Sequence, residues 1–317
     1  MNTFNEKARL IGTAEYNTNF WNVMRGGRYN IDRISGGKDV STGGYALPAE
    51  SDEKLGTAIQ RESLFRSMAT IVKAYNGASR IYAKDCADLA EWVPENGSIP
   101  IQDGVNDFTR YAVDMHKLAV FVKLDDDFVR DATFNIEDYL TDRLAKNFAK
   151  AEDKGFITGT GGHTPTGILD PAVGAEIGAN ADSITYDDIV RLYFSLNDEY
   201  RKNAAWLTND DTALALRLLK DSAGNPLWNQ AHDTILGKPV VISYDMPSAA
   251  NGKMPVVFGD FSYYWIIDRS PVHIQTLKEK FVTLDQSGYL ATELLDGKLI
   301  RRDALKALKI NETGQNG

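Results

Sequence analysis

The segment from residue 75 to residue 117 restricts the fold of this 317-residue chain more than any other feature. Strand-like runs, "YNGASRIY" and "FTRYAVDMHKLAVFVKL", stand on either side of "AEWVPENGSIPIQDG". The two prolines and two glycines of that middle stretch exclude a helix or a central strand, so the pattern predicts an extended β-hairpin with a Pro/Gly-rich tip. A two-stranded hairpin is only marginally stable in water unless its apolar face is covered. The apolar side chains near the tip are Trp92, Val93, Ile99 and Ile101.

The first 44 residues are rich in glycine, yet they contain large apolar side chains. The most prominent are Phe20, Trp21 and Tyr29. A solvated tail has no need of such side chains, because leaving them in water is unfavourable. We therefore predict an N-terminal arm that lies along another surface, either of its own subunit or of a neighbour.

The clearest helix is predicted over residues 135–155. Asn135 is a favourable N-cap, two acidic residues follow it, and apolar residues then recur every four positions as far as Phe148. The run ends in "KGFITGTGG", where Gly155 or Gly159 is expected to take the left-handed conformation that ends many helices.

The glycines of "GGHTPTGIL" have the spacing of a phosphate-binding loop, but the residues around them do not fit one. Ile168 and Leu169 follow Gly167, where such a loop needs Lys and Ser or Thr. These glycines also follow a predicted helix, whereas phosphate loops come after a strand. The interpretation is that they end the helix and redirect the chain.

Beyond residue 183 helices and strands alternate. Thr185 with Asp188 indicates a helix start, "AAWLTN" a short buried strand, and Asn209 the cap of a second helix. Four strand-like runs follow, and Asp296-Gly297 between two further runs predicts a hairpin turn.

Composition and motifs argue against several classes of function. The net charge of −9 argues against tight, sequence-reading binding to DNA. The single cysteine, Cys86, excludes an intrachain disulfide. The four histidines are scattered, the Asp125–Asp127 run lacks the spacing of a calcium loop, and no Gly-x-Ser-x-Gly motif occurs. No apolar run is long enough to cross a membrane. The sequence predicts no catalytic residue, no metal and no cofactor.

Several segments, in order, resemble the major capsid proteins of tailed bacteriophages with the Hong Kong 97-type fold. They are "GGYALP", "AEWVPENGSIP", the run from "LAVFVKLDDD" to "KGFITGTG", "PTGIL", "WLTNDDTALALRLLKDSAGNPLW", "ILGKPVVISYDMP" and "VVFGDFSYYWIIDR". Within the second segment, Trp92 and Glu95 occupy the aromatic and acidic positions of the family's loop motif. The resemblance covers residues 43–310.

The resemblance implies an α+β fold with an N-terminal arm, an extended β-hairpin loop, a peripheral domain with a long spine helix, and an axial domain. The implied boundaries are an arm over 1–44, a peripheral domain over 45–182 with the loop at 75–117 and the spine helix at 135–155, an axial domain over 183–284, and return strands with a C-terminal tail over 285–317.

The resemblance also implies function and partners. The chain would be a shell subunit that assembles into pentamers and hexamers of a viral head enclosing double-stranded DNA. Its partners would be other copies, a portal, a scaffold or maturation protease, and in some heads a decoration protein, with assembly in the host bacterial cytoplasm. The predicted subunit-interface residues are Phe20, Trp21, Tyr29, Trp92, Val93, Glu95, Ile99 and Ile101.

Two departures from the family and two alternatives remain open at this point. Many relatives begin with a long scaffolding region, whereas only 44 residues precede the body here, and no asparagine can be matched to Lys84 for the covalent crosslink of some relatives. The first alternative is an encapsulin, a cellular nanocompartment of the same fold. The second is an α/β enzyme, which the failed glycine motifs disfavour.

Overall fold

A computed structural model describes residues 9–27, 30–39, 43–74, 80–84, 108–131, 133–229 and 231–312. The α-helices are α1 (Ala14–Met24), α2 (Ala49–Glu62), α3 (Leu64–Met68), α4 (Asp126–Arg130), α5 (Ile136–Thr158), α6 (Tyr186–Ser195), α7 (Asp198–Arg201) and α8 (Asp210–Leu218). Short 3-10 helices span Asp32–Gly37, Phe261–Tyr263, Glu279–Leu284 and Arg302–Ala304.

The first sheet is built around one long strand. Its strands are β1 (Tyr45–Ala46), β2 (Thr70–Lys73), β5 (His116–Asp125), β12 (Tyr264–Asp268), β13 (His273–Leu277) and β14 (Gln286–Leu299). The order is β1-β13-β14-β12-β2, and β5 also pairs antiparallel with β14 over ten residue pairs. The face covered by α1, α2 and α5 forms one hydrophobic core.

A second sheet of seven strands carries its own core. Its strands are β6 (Glu176–Ala181), β7 (Ala205–Thr208), β8 (Trp228–Asn229), β9 (Thr234–Ile235), β10 (Lys238–Ile242), β11 (Val256–Gly259) and β15 (Leu305–Ile310), in the order β6-β15-β11-β7-β10-β9-β8. Trp206 and Phe258 stack on neighbouring strands at the centre of this core, with ring centroids 4.1 Å apart. The predicted helix starts at Thr185 and Asn209 and the buried strand 205–208 are confirmed.

Sheet membership differs from the predicted domain boundaries. The strands β12 and β13 fall inside the predicted axial segment 183–284, but they pair within the first sheet. Conversely, β15 falls in the predicted peripheral segment 285–317 and pairs with β11 and β6 of the second sheet. The chain therefore crosses between the two sheets more often than a division into consecutive segments allows.

The predicted spine helix is confirmed as α5, but its end differs from the prediction. The Asn135 side chain accepts hydrogen bonds from the backbone N–H groups of Glu137 and Asp138, as an N-cap should. Gly159 at the C-terminus is extended, with φ −64° and ψ 149°, and is not left-handed. A Cβ atom there would lie 2.1 Å from the Pro165 carbonyl oxygen, so glycine is required for close approach of two backbone segments.

The N-terminal segment forms a helix that packs on its own subunit. In α1, Tyr16, Phe20 and Met24 are fully buried, and the Tyr16 hydroxyl donates a hydrogen bond to the Ala46 carbonyl oxygen at 2.7 Å. Of the two alternatives left open for the arm, residues 14–24 therefore follow the first, since their apolar side chains pack against their own subunit.

The prediction of a hairpin turn at Asp296-Gly297 is wrong. Both residues lie inside β14, where they pair with Ile267 and Ile266 of β12. Gly297 is required by packing, because a Cβ atom would lie 2.3 Å from the Tyr264 hydroxyl oxygen. The local turn signal was outweighed by the pairing of a continuous 14-residue strand.

Candidate subunit-contact surface

A two-stranded ribbon projects its two faces into different surroundings. Its strands, β3 (Arg80–Lys84) and β4 (Phe108–Ala112), pair antiparallel and form a sheet of their own. The inner face presents Ile81 and Ala83, which are buried against the subunit in a cluster with Ile267. This pairing supports the start and end of the predicted hairpin, whose tip lies outside the described residues.

The opposite side, which we call the outer ribbon face, consists of Arg80, Tyr82, Phe108 and Arg110. All four are exposed, and the exposed fractions are 60% for Tyr82 and 56% for Phe108. Side chains alternate between faces along a strand, and the register Tyr82↔Arg110 places these residues on one side. Aromatic residues and arginine are enriched in protein interfaces.

The base of the ribbon is fixed to β14 by a buried carboxylate. Asp296, which is 1% exposed, accepts hydrogen bonds from the backbone N–H groups of Asp114 and Gly297, each at 2.8 Å. His116 Nε2 lies 3.4 Å from the same carboxylate. The Tyr111 hydroxyl donates to the Ile300 carbonyl oxygen at 2.7 Å. The ribbon therefore leaves the subunit in a defined direction.

A second charged contact lies at the surface of this base. Lys298 Nζ lies 2.9 Å from the Asp114 carboxylate, and the hydrogen bond from Lys298 lowers the pKa of Asp114. The Asp114 side chain is 62% exposed, so this pair contributes little to stability.

The second-sheet half of the subunit also exposes large apolar side chains. Leu214 and Leu218 lie one turn apart on α8, with exposed fractions of 61% and 71%. Others on this half are Phe194, Ile242 and Tyr244. Single exposed apolar residues are ordinary, whereas Leu214 and Leu218, at positions i and i+4, share one face of α8 and form a candidate contact surface.

The predicted interface residues have different outcomes. Phe20 and Trp21 lie in the subunit's own core, with exposed fractions of 0% and 9%, and the Trp21 indole N–H donates to Ser51 Oγ at 3.1 Å. They are not presented to a neighbour in this structure, because α1 buries its apolar side against α2 and the first sheet. The remaining six lie outside the described residues: Tyr29, Trp92, Val93, Glu95, Ile99 and Ile101.

Tyr82 and Phe108 were missed at the sequence level, although a signal existed. The alternation in Arg80–Lys84 places Tyr82 opposite to Ile81 and Ala83, so one side of the strand had to face away from the subunit.

Within the described ranges, no group of three or more His, Cys, Asp or Glu side chains could hold a metal ion. The acids of the Asp125–Asp127 run lie at the start of α4, where negative charge suits the helix dipole. No helix among the described residues is both long and apolar enough to span a bilayer.

Comparisons with known proteins agree on one class. The family model described as "Phage capsid family" matches residues 43–310. Among solved structures, the chain is similar to the capsid of an empty GTA particle computed with C5 symmetry, with 27% identity and a TM-score of 0.65 over 80% of this chain and 90% of that chain. The capsid of a native GTA particle, also computed with C5 symmetry, has 28% identity and a TM-score of 0.60 with the same coverage.

A more distant structure shares the fold. A chain from Microbacterium phage Oxtober96 has 17% identity and a TM-score of 0.54, over 78% of this chain and 90% of that chain. No curated protein matches the sequence.

Proposed function

The chain belongs to the phage capsid family and is a structural capsid protein with the Hong Kong 97-type fold, and from this premise we propose that it forms the pentamers and hexamers of a closed icosahedral head. Five-fold symmetry in the similar GTA capsids supports the pentamer. Contacts that repeat head to tail close into rings when the rotation between neighbours permits.

The outer ribbon face is the observation that carries this proposal. The ribbon is fixed to β14 at its base and uses its inner face within the subunit, so Tyr82 and Phe108 are left for another molecule. We propose that this molecule is a neighbouring copy. The predicted tip residues, from Trp92 to Ile101, would extend the same contact.

The proposed content of the head is double-stranded DNA held without sequence-specific binding. Affinity for DNA grows with each phosphate that a protein neutralises. The net charge of −9 suits an inner wall along which DNA can move during packaging.

Further proposed partners follow from the function of a head. A portal, a scaffold or maturation protease, and a decoration protein would act during assembly in the host bacterial cytoplasm. The encapsulin alternative shares the fold, and the content of the particle separates the two, because an encapsulin encloses enzymes and a head encloses DNA.

Electron microscopy of the expressed full-length chain tests the proposal. We expect closed particles in which the subunits cluster around five-fold and six-fold axes, with light scattering that reports many copies. A chain that stays monomeric at high concentration, even with a scaffold protein supplied, would contradict the proposal that the protein forms a closed shell. Purified particles filled with protein cargo and free of DNA would favour the encapsulin.

A further inference from the structure

Four ionisable side chains from four different elements meet in the interior between α5 and the first sheet. They are Arg66 of α3, Glu152 of α5, Asp268 of β12 and Glu293 of β14, and their side chains are 4%, 0%, 9% and 5% exposed. We call them the buried cluster. Its members are far apart in sequence, so it joins α3 and the long helix α5 to the centre of the sheet.

The guanidinium of Arg66 cannot satisfy all three carboxylates. Arg66 makes paired contacts with Glu152, at 2.7 and 2.8 Å, and with Asp268, at 2.9 and 3.1 Å. Its Nη2 atom also lies 3.2 Å from Glu293. The two hydrogens of Nη2 thus face three carboxylate oxygens, and the contact with Glu293 is the longest.

Glu293 is the least satisfied member of the cluster. Its Oε2 atom is buried and has no hydrogen-bond partner, and its Oε1 atom approaches the same Nη2 atom of Arg66 as Glu152 Oε1, at 3.2 and 2.8 Å. Two ionised carboxylates cannot bond to each other, because both are acceptors. A proton on one of them turns this repulsive contact into a hydrogen bond.

The net charge of the cluster also favours a bound proton. One guanidinium and three ionised carboxylates would leave two uncompensated negative charges in the interior, which is strongly unfavourable. Arg66 is the only lysine or arginine that is buried among the described residues. Leu118 pairs with Glu293 from β5, and Lys73, which pairs with Asp268 from β2, is exposed. Asp153, beside Glu152 on α5, adds negative charge and is occupied by Ser63 and the backbone N–H groups of Leu64 and Phe65.

We propose that the buried cluster holds one proton, shared by Glu293 and Glu152, at neutral pH, and that loss of this proton loosens α5 from β14. The cluster is thus a pH-sensitive latch within a single subunit, and it stands whether or not the subunit forms a shell. Burial, reinforced by the neighbouring Glu152, raises the pKa of Glu293 well above its usual range. Burial also raises the pKa of Glu152, against the opposing effect of Arg66.

The direction of the pH effect follows from this proton. The closed latch keeps a proton that the opened chain releases near the ordinary glutamate pKa, so the closed state is favoured at the lower end of the range. As the pH rises from the ordinary glutamate pKa towards the elevated pKa of the pair, opening becomes more favourable. For one proton, the equilibrium constant for opening rises about tenfold per pH unit.

Infrared spectroscopy of the full-length protein at neutral pH detects the proton directly. We expect a carbonyl band of a protonated carboxyl group in the wild type and its loss in both Glu293→Gln and Glu152→Gln. Either change leaves two carboxylates beside Arg66, one of them Asp268, and removes the pair of glutamates that shares the proton. The exposed control Glu53→Gln and the neighbouring Asp153→Asn should keep the band. Absence of the band in the wild type, its persistence in both cluster variants, or its loss in Asp153→Asn would overturn the proposal.

Hydrogen exchange of wild type and Glu293→Gln tests the loosening. In peptides from α5 and β14 of the wild type, the equilibrium constant for opening should rise about tenfold per pH unit between about pH 6 and neutral pH, where the cluster holds its proton. This rise comes in addition to the increase in exchange rate that base catalysis gives. Glu293→Gln should show only the base-catalysed increase. Equal pH dependence in the two proteins would overturn the latch, and the wild-type slope alone remains decisive if the variant does not fold.

Discussion

Gly297 and Gly56 show how the surroundings of a single residue decide what an added methyl group does. Gly297 lies in β14, and a Cβ atom there would lie 2.3 Å from the Tyr264 hydroxyl oxygen and 3.0 Å from the ring of Phe156. Gly56 lies inside α2, with no atom within 4 Å of the Cβ position. One glycine is required by packing, whereas the other only weakens its helix.

We expect Gly297→Ala to lower the free energy of unfolding by about 1–3 kcal/mol, because the methyl group overpacks the core. Gly56→Ala is the matched control and should raise it by about 0.5–1 kcal/mol, since alanine favours helix. Urea unfolding of unassembled subunits measures both. Equal effects of the two substitutions would mean that the packing around Gly297 relaxes freely.

The glycines also mark the limit of what could be predicted from sequence at this scale. That the glycines after α5 redirect the chain could be predicted, because they lack the lysine of a phosphate loop and follow a helix. That Gly159 and Gly297 serve close approach could not, because Pro165 and Tyr264 reach them only in the folded chain. Local signals describe turns, whereas packing is decided by distant partners.

At the scale of elements, α1 and the ribbon differ in where their apolar residues lie. The helix α1, within the predicted arm, belongs to the subunit's own core, while the described part of the ribbon contacts the subunit through its base and its inner face. The spacing of apolar residues predicted α5, α8 and most strands, because the formation of each element is favoured by the residues within it. The partner of an apolar face is not encoded locally, so the destination of α1 could not be predicted.

Phe20→Ala should lower the free energy of unfolding by about 3–5 kcal/mol, as expected for a fully buried phenylalanine. Thr18→Ala on the exposed side of the same helix should change it by less than about 0.5 kcal/mol. Thermal unfolding of unassembled subunits distinguishes the two. If Phe20→Ala leaves stability unchanged and blocks assembly, the helix belongs to a neighbour.

The base of the ribbon allows a comparison between a buried and an exposed contact of the same residue. Asp296→Ala removes the acceptor of the Asp114 backbone N–H group and should lower the free energy of unfolding by about 1–3 kcal/mol. Asp114→Ala removes only the exposed pair with Lys298 and should lower it by less than about 1 kcal/mol. Hydrogen exchange over residues 108–116 should rise only in Asp296→Ala. Similar exchange in both variants would show that Asp296 does not fix the ribbon.

The Asp114–Lys298 contact should also depend on pH. The lowered pKa of Asp114 means that its stabilising effect is present above the ordinary aspartate pKa and is lost as the pH falls through the lowered one.

At the scale of the whole molecule, assembly should depend on the outer ribbon face. The double substitution Tyr82→Ala and Phe108→Ala should leave subunit unfolding within about 0.5 kcal/mol of wild type, because both side chains are exposed. It should prevent closed particles, since a buried aromatic anchor at an interface can contribute about 2 kcal/mol or more. Light scattering and electron microscopy measure assembly, and Trp92→Ala should act in the same way.

Ile81→Ala, on the same strand but the inner face, provides the contrast. It should destabilise the subunit by about 2–5 kcal/mol, because Ile81 is buried within the chain. Normal particles from the double variant would exclude the outer ribbon face from assembly.

The strand β14 has a mechanical consequence for a subunit under load. Tension on the ribbon would be transmitted to β14 through Asp296. It would then pass along β14, which pairs with β5 over ten residue pairs, and reach α5 through Arg66, which contacts both Glu293 and Glu152. Hydrogen bonds pulled along the strand direction share the force and break together, whereas bonds peeled from one end break in turn. A pull along the strand direction would therefore meet high resistance in β14, and a pull that peels β5 away from one end would meet much less.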